Sequence, residues 1–229
     1  MEFREEYRRL MSRLGVFRTS EDFEVQKTVA SIDTLLRRAD DLYHFTKYEN
    51  NPVYTPGPWA DWDKSKWADC RDSFVLREGD VLYQYVFVSR RTADGKTEPA
   101  TAVLSSADGI CWKEEGTFKM PSCYHAAESP FVIRHGDRYY FFYTNAGEGT
   151  AYATGSSPLG PWQEQGILFG PRLVSKDTAH VPSCAEVFLY KGKWYISVCE
   201  RLPGWEQYLE IYELFWEEDG SVRVGEMVK

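Results

Sequence analysis

Three carboxylates open three copies of one phrase. Asp72 leads Asp72-Ser73-Phe74-Val75-Leu76-Arg77-Glu78-Gly79-Asp80, and Glu128 leads Glu128-Ser129-Pro130-Phe131-Val132-Ile133-Arg134-His135-Gly136-Asp137. Glu186 leads a looser copy, Glu186-Val187-Phe188-Leu189-Tyr190-Lys191-Gly192-Lys193. Carboxyl groups gathered in one place have a definite chemistry. A protonated one gives its proton to a leaving oxygen, while an ionised one activates water or attacks the anomeric carbon, as cleavage of a glycosidic bond requires. Like charges held close raise one another's pKa, which keeps one member protonated near neutral pH.

The elements around these acids must bring them together. Gly79, Gly136 and Gly192 lie 57 and 56 positions apart, and a fixed period of that length marks a repeat architecture. After each glycine comes an aromatic-rich run: Val81–Phe87, Tyr139–Tyr143 and Trp194–Val198. The Gly-Asp and Gly-Lys pairs stand where a hairpin turn needs positive φ. A third strand follows each run, at Thr101–Leu104, Thr150–Ala153 and Leu209–Tyr212. A turn and an aromatic residue close the first two units, Asp108-Gly109-Ile110-Cys111-Trp112 and Pro158-Leu159-Gly160-Pro161-Trp162. Trp112 and Trp162 therefore read as blade core. Each unit holds about four strands, the content of a propeller blade.

The spacing predicts an all-β fold, a β-propeller of four-stranded antiparallel blades over residues 25–229. Residues 1–24 form an N-terminal helix and linker. The helix rests on Phe3, Tyr7, Leu10, Met11 and Leu14, which share one helical face before Gly15. Leu35–Phe45 resembles the back half of a further unit, with Asp41 and Phe45 in the places of Asp108 and Trp112. Its front half has no counterpart near residue 15, so the propeller reads as lacking most of its first blade. An open blade exposes unpaired strand edges. The expected remedy is a cap formed by the 2–14 helix, or a homo-oligomer through the open edge.

Bulk properties narrow the partners. The 229 residues carry a formal charge of −8 without a basic tract, which argues against nucleic acid. A neutral polar ligand such as a sugar fits that balance. No apolar run reaches about 18 residues, so no membrane partner is expected. The N-terminal Met1-Glu2-Phe3-Arg4-Glu5-Glu6 is not a signal peptide, which makes the cytoplasm the expected location. Five irregularly spaced cysteines give no disulfide framework. Cys70, Cys123 and Cys184, each just before a repeat acid or its phrase, read as small buried side chains.

Four segments carry a family resemblance: Cys70-Arg71-Asp72-Ser73, Ala127-Glu128-Ser129-Pro130-Phe131-Val132, Ser105-Ser106-Ala107-Asp108-Gly109-Ile110-Cys111-Trp112 and Tyr43–Val53. They resemble the five-bladed propeller glycoside hydrolases, both the family-43 arabinanases and xylosidases and the family-32 invertases and levanases. The resemblance covers roughly residues 28–215. It implies a glycosidase of an oligo- or polysaccharide, with Glu128 as general acid and Asp72 tuning it while holding sugar hydroxyls. The family's Arg-Asp-Pro reads Arg71-Asp72-Ser73 here. The base or nucleophile expected from the first blade is an Asp, and neither Asp22 nor Asp33 sits in a matching motif. A non-catalytic carbohydrate-binding or interaction propeller is the alternative.

Arg71, His125, Glu186, His180 and Trp62 complete the candidate site as substrate-binding residues. Asp72 beside Arg71 also reads as a plain ion pair, and Glu186 as a structural residue. Trp59, Trp67, Tyr124 and Trp205 lie in predicted loops, where a ring face can stack on a sugar. No cofactor is expected. Some family-43 members hold a channel cation through a His, but no His here has acidic partners at a set spacing.

Overall fold

The computed structural model describes residues 49–50, 52–62, 70–124, 126–175, 178–201 and 207–228. The helix expected at 2–14 and the fragment at 35–45 lie outside them. The chain divides into two compact units, residues 1–54 with 77–81 and residues 55–76 with 82–229. The second holds the three large sheets, apart from the tip of the first hairpin. Among the described residues no helix is long and apolar enough to cross a membrane.

The sequence folds as three four-stranded meanders. The first sheet is β1 (Cys70–Glu78), β2 (Val81–Arg91), β3 (Thr97–Ser106) and β4 (Lys113–Phe118). The middle sheet is β5 (Ala127–His135), β6 (Arg138–Asn145), β7 (Gly149–Gly155) and β8 (Trp162–Phe169). A ribbon of β9 (Arg172–Ser175) and β10 (Thr178–His180) leads to the third sheet. That sheet is β11 (Ser183–Tyr190), β12 (Lys193–Arg201), β13 (Gln207–Trp216) and β14 (Val222–Met227). Strands are hydrogen-bonded in chain order within each large sheet, and the described pairings are antiparallel. All-β, blade-like units of four strands are therefore what the chain forms.

Turn chemistry sets the hairpins. Gly79 and Gly136 take φ of 59° and 60° at the first turn position, where a side chain would cost energy. In the third unit the turn is Lys191-Gly192, with both residues left-handed at 49° and 77°. The β3–β4 turn is held differently. The Asp108 carboxylate accepts the backbone N–H groups of Ile110 and Cys111, both at 2.8 Å. These bonds stabilise its charge and lower its pKa to about 2.

The middle sheet has both faces covered. Successive strand side chains point to opposite faces, so the unbroken aromatic run of β6 serves two cores. Tyr139, Phe141 and Tyr143 join Tyr85, Val103 and Val132 in one cluster, with Phe118 and Trp162 against it. Tyr140 and Phe142 join Val187, Ile196, Val198 and Leu214 in the other. Phe141 is fully buried, its ring centroid 5.3 Å from Phe118 and 5.4 Å from Trp162. Removing such a ring from water contributes about 1.5–3 kcal/mol. Trp162 thus takes its expected core place. Trp112 belongs to neither cluster; it is half-buried and donates its indole N–H to the Gly109 carbonyl at 3.1 Å.

Candidate active site

The site begins at the first residues of β5 and β11, where both strands carry the same irregularity. Glu128 pairs with Thr144 and Phe131 with Phe142, so three steps along β5 match two along β6. Ser183 pairs with Cys199 and Glu186 with Ser197, the same mismatch in the third sheet. Each is a β-bulge, which bends the strand and re-aims a side chain. The residue inside each bulge is left-handed and not glycine: Ser129 has φ of 51° and Cys184 of 54°. Asp72, near the start of β1, matches them at 55°.

This register revises the alignment of the repeats. Ser183, not Glu186, stands at the position of Glu128, and Glu186 stands at that of Phe131. Asp72 shares its backbone conformation with Ser129 and Cys184 rather than with Glu128. The signal was present in the sequence. Counting back from the apolar Phe74 and Phe131, whose rings meet at 4.6 Å, pairs Asp72 with Ser129. Counting from the acids instead sets Glu128 against Asp72, one position out of register.

The first two units meet here through polar contacts. The Arg71 guanidinium donates to Glu128 Oε1 in a close ion pair. Their side chains keep 27% and 31% exposure, so water still reaches the pair. Arg71 also lies over the Phe87 ring, 4.5 Å from its centroid, a cation–π contact. Arg71 thus reaches across to the next unit rather than serving only the adjacent Asp72. The Asp72 carboxylate accepts the backbone N–H of Ser129 at 3.2 Å. Asp72 and Glu128 therefore belong to one locality.

The third unit joins through its bulge. Ser129 Oγ and Cys184 Sγ are 3.3 Å apart, and Cys184 N–H donates to Thr144 Oγ1 at 3.0 Å. Thr150 Oγ1 donates to the Pro182 carbonyl at 2.8 Å, which ties the start of β11 to the middle sheet. Sequence reading did not place Ser129, Thr144 or Cys184 in the candidate site; it took Cys184 for a small buried side chain. Cys123 is buried as expected, but Cys184 is exposed and Cys70 half-buried. The bulge turns Cys184 outward, which is why the expectation of a buried thiol fails there.

The remaining candidates are placed as follows. Glu186 is exposed on β11. His180 is half-buried in the ribbon, opposite Arg172. Trp62 is half-buried, and Trp59 donates to Glu114 Oε2 at 3.0 Å. Tyr124 is strongly exposed just before β5. His125, Trp67 and Trp205 lie outside the described residues. Among the described residues no three His, Cys, Asp or Glu side chains are grouped to hold a metal ion.

The solved structures that this fold matches include several glycoside hydrolases. An endo-1,4-beta-xylanase from Bacteroides thetaiotaomicron matches with a TM-score of 0.58 at 20% identity, over 81% of this chain and 64% of that one. A thermostable family-43 glycoside hydrolase matches at 0.55 and 20%, over 67% and 56%. An arabinoxylan arabinofuranohydrolase of the same family from Bacillus subtilis matches at 0.51, over 70% and 40%. The fold is family-43-like. Among curated proteins, this family-43-like chain is 30% identical to a xylosidase/arabinosidase of Bacteroides ovatus over 182 residues, 76% of the chain and 53% of that protein. It is 29% identical to a beta-xylosidase of Xylanibacter ruminicola over 101 residues, 42% of the chain and 30% of that protein. The chain thus spans about half the length of the first relative, and the match to the second covers less. No protein-family model matches the chain.

Proposed function

We propose that this chain forms part of a glycosidase site for xylose- or arabinose-containing oligosaccharides, with Glu128 as general acid and Asp72 as its partner carboxylate. The observation that carries this reading is the meeting of two repeats on a family-43-like fold: Arg71 binds Glu128, and Asp72 binds the backbone of the next residue, Ser129. With Arg71 holding Oε1, the proton for the leaving oxygen would travel on Glu128 Oε2. Asp72 would hold sugar hydroxyls and add negative charge beside an oxocarbenium-like transition state. Arg71, Glu186, His180, His125 and Trp62 would line the approach. The three sheets read as three blades of a five-bladed ring within residues 25–229, with association through an open edge as the expected partner contact.

A second reading has its own support. Ser183 and Cys184 occupy the third-unit positions equivalent to Glu128 and Ser129, so that bulge supplies no carboxylate. The first-blade Asp also lacks a counterpart in a matching motif. A sugar-binding propeller without turnover fits both facts. Hydrolysis of 4-nitrophenyl β-D-xylopyranoside and α-L-arabinofuranoside by the protein and by Glu128→Gln separates the two. Turnover abolished in the variant supports the enzyme. Binding of xylobiose by both proteins with turnover by neither supports the binding module and rejects the acid role of Glu128.

A further inference from the structure

We infer that Arg91 is a positioning residue for sugar recognition: paired with Asp61, it clamps residues 59–61 in line with β1 and so holds Trp62 at the head of that strand, as the wall on which a pentose ring stacks. The inference rests on the proposed sugar site and names what orders one side of it. β2 pairs with β3 from Leu82 to Arg91, so one of its edges is filled. Its other edge carries β1, which has nine residues against the eleven of β2. Trp59, Ala60 and Asp61 take up the rest of that edge. Ala60 bridges Arg90 in the antiparallel sense. The Arg91 N–H donates to the Trp59 carbonyl and the Asp61 N–H to the Ser89 carbonyl, both at 2.8 Å.

This pairing aims the segment at the site. Trp59 meets Arg91 and Asp61 meets Ser89, so the chain advances toward the first residues of β1. Phe87, whose ring centroid lies 4.5 Å from the Arg71 guanidinium, is two residues on the hairpin side of Ser89, about 7 Å at the rise of a strand. Trp62 follows Asp61 into that interval, and Arg71 in turn holds Glu128. Trp62 is only half-buried, which leaves ring surface for a sugar. The segment is set before any ligand arrives. Arg91 donates from Nη2 to Asp61 Oδ1 at 2.7 Å and from Nε to the Ala60 carbonyl at 3.2 Å. The Trp59 indole is tied to Glu114, and Pro56 and Pro58 restrict the backbone leading in. A wall ordered beforehand spares the ligand that entropy. The clamp itself adds little to the fold, because both of its side chains are more than half exposed.

Binding and turnover by the intact protein separate positioning from bulk stability. Calorimetry gives Kd for xylobiose, hydrolysis of 4-nitrophenyl β-D-xylopyranoside gives KM and kcat, and thermal unfolding gives Tm. Trp62→Ala should weaken xylobiose binding about tenfold. Arg91→Ala should weaken it about threefold and raise KM by the same factor, with kcat within about twofold. Its Tm should fall by about 4 °C at most. Asp61→Ala opens the clamp from the other side and should give the same loss. In the Trp62→Ala background, Arg91→Ala should have no further effect on Kd, because it acts through Trp62. Wild-type affinity in Trp62→Ala, unchanged binding in both clamp variants, or losses that add in the double variant overturn this inference alone. Neither binding nor hydrolysis of these sugars by the wild type overturns the sugar site itself, and the role of the clamp with it.

Discussion

The middle and third sheets share a register and a bulge but differ in what surrounds them. In the middle sheet both faces of β6 are buried, and the run Tyr139–Tyr143 is hidden throughout. In the third sheet one face packs through Ile196, Val198 and Leu214, while the other leaves Phe188, Leu209 and Phe215 at 38%, 65% and 38% exposure. Their leading residues differ as well: Glu128-Ser129 in one, Ser183-Cys184 in the other. The same backbone device thus presents a carboxylate in one unit and only hydroxyl and thiol in the next. Similar strands do not imply similar chemistry, because function lives in the side chains grafted at the bulge.

The contrast in burial should break first. Phe141→Ala empties a space lined by Phe118, Tyr143 and Trp162 and should cost about 3–5 kcal/mol in urea unfolding. Phe188→Ala on the open face should cost about 1 kcal/mol or less. Equal losses would mean that the open face is covered in solution. The contrast in chemistry comes next. Glu128→Gln should lower aryl-glycoside turnover by about 100-fold or more, the range of a general acid. Ser183→Ala, at the equivalent position, should leave it within about threefold. A comparable loss in both would assign the third unit a share in the chemistry.

A smaller effect is expected where the middle sheet steadies the segment before Glu128. Glu164 accepts from Ser122 Oγ at 2.7 Å and from the Tyr143 hydroxyl at 3.0 Å. Burial and the Glu164 charge raise the Tyr143 pKa, so its hydroxyl stays a donor. Glu164→Leu strands these donors and should destabilise by about 1–3 kcal/mol, read by thermal unfolding. The smallest effect concerns the joint between the two sheets. His135 stacks on Trp216 with centroids 4.2 Å apart, and burial lowers its pKa below the ordinary value of about 6.5. The unfolded chain then binds that proton more readily than the folded one. Its contribution is complete above about pH 6.5 and is lost as pH falls below it. Between pH 7.5 and 5.5, His135→Phe should lose less Tm than the wild type.

Much of the fold was legible because its signals are local. Gly79 and Gly136 marked hairpins, since positive φ is a property of one residue. The aromatic runs marked strands that need burial on two faces, as Tyr140 and Phe141 show by joining different clusters. The bulges were less legible. Between Glu128 and Phe131, and between Ser183 and Glu186, the strand carries one residue more than its partner without a change in the composition around it. The register sets Ser183, three positions before Glu186, where Glu128 stands in the middle sheet, and Cys184 is exposed.

The amino-acid order alone determined that the chain repeats, that its units are antiparallel strands, and that Asp72 and Glu128 open two of them. These follow from spacing and from short-range backbone preference. Tertiary packing decided which side chains meet: Arg71 with Glu128, Asp72 with the Ser129 amide, Ser129 with Cys184. Such contacts join residues about 55 positions apart. They depend on how one sheet stacks on another, and no neighbour in the chain carries that information.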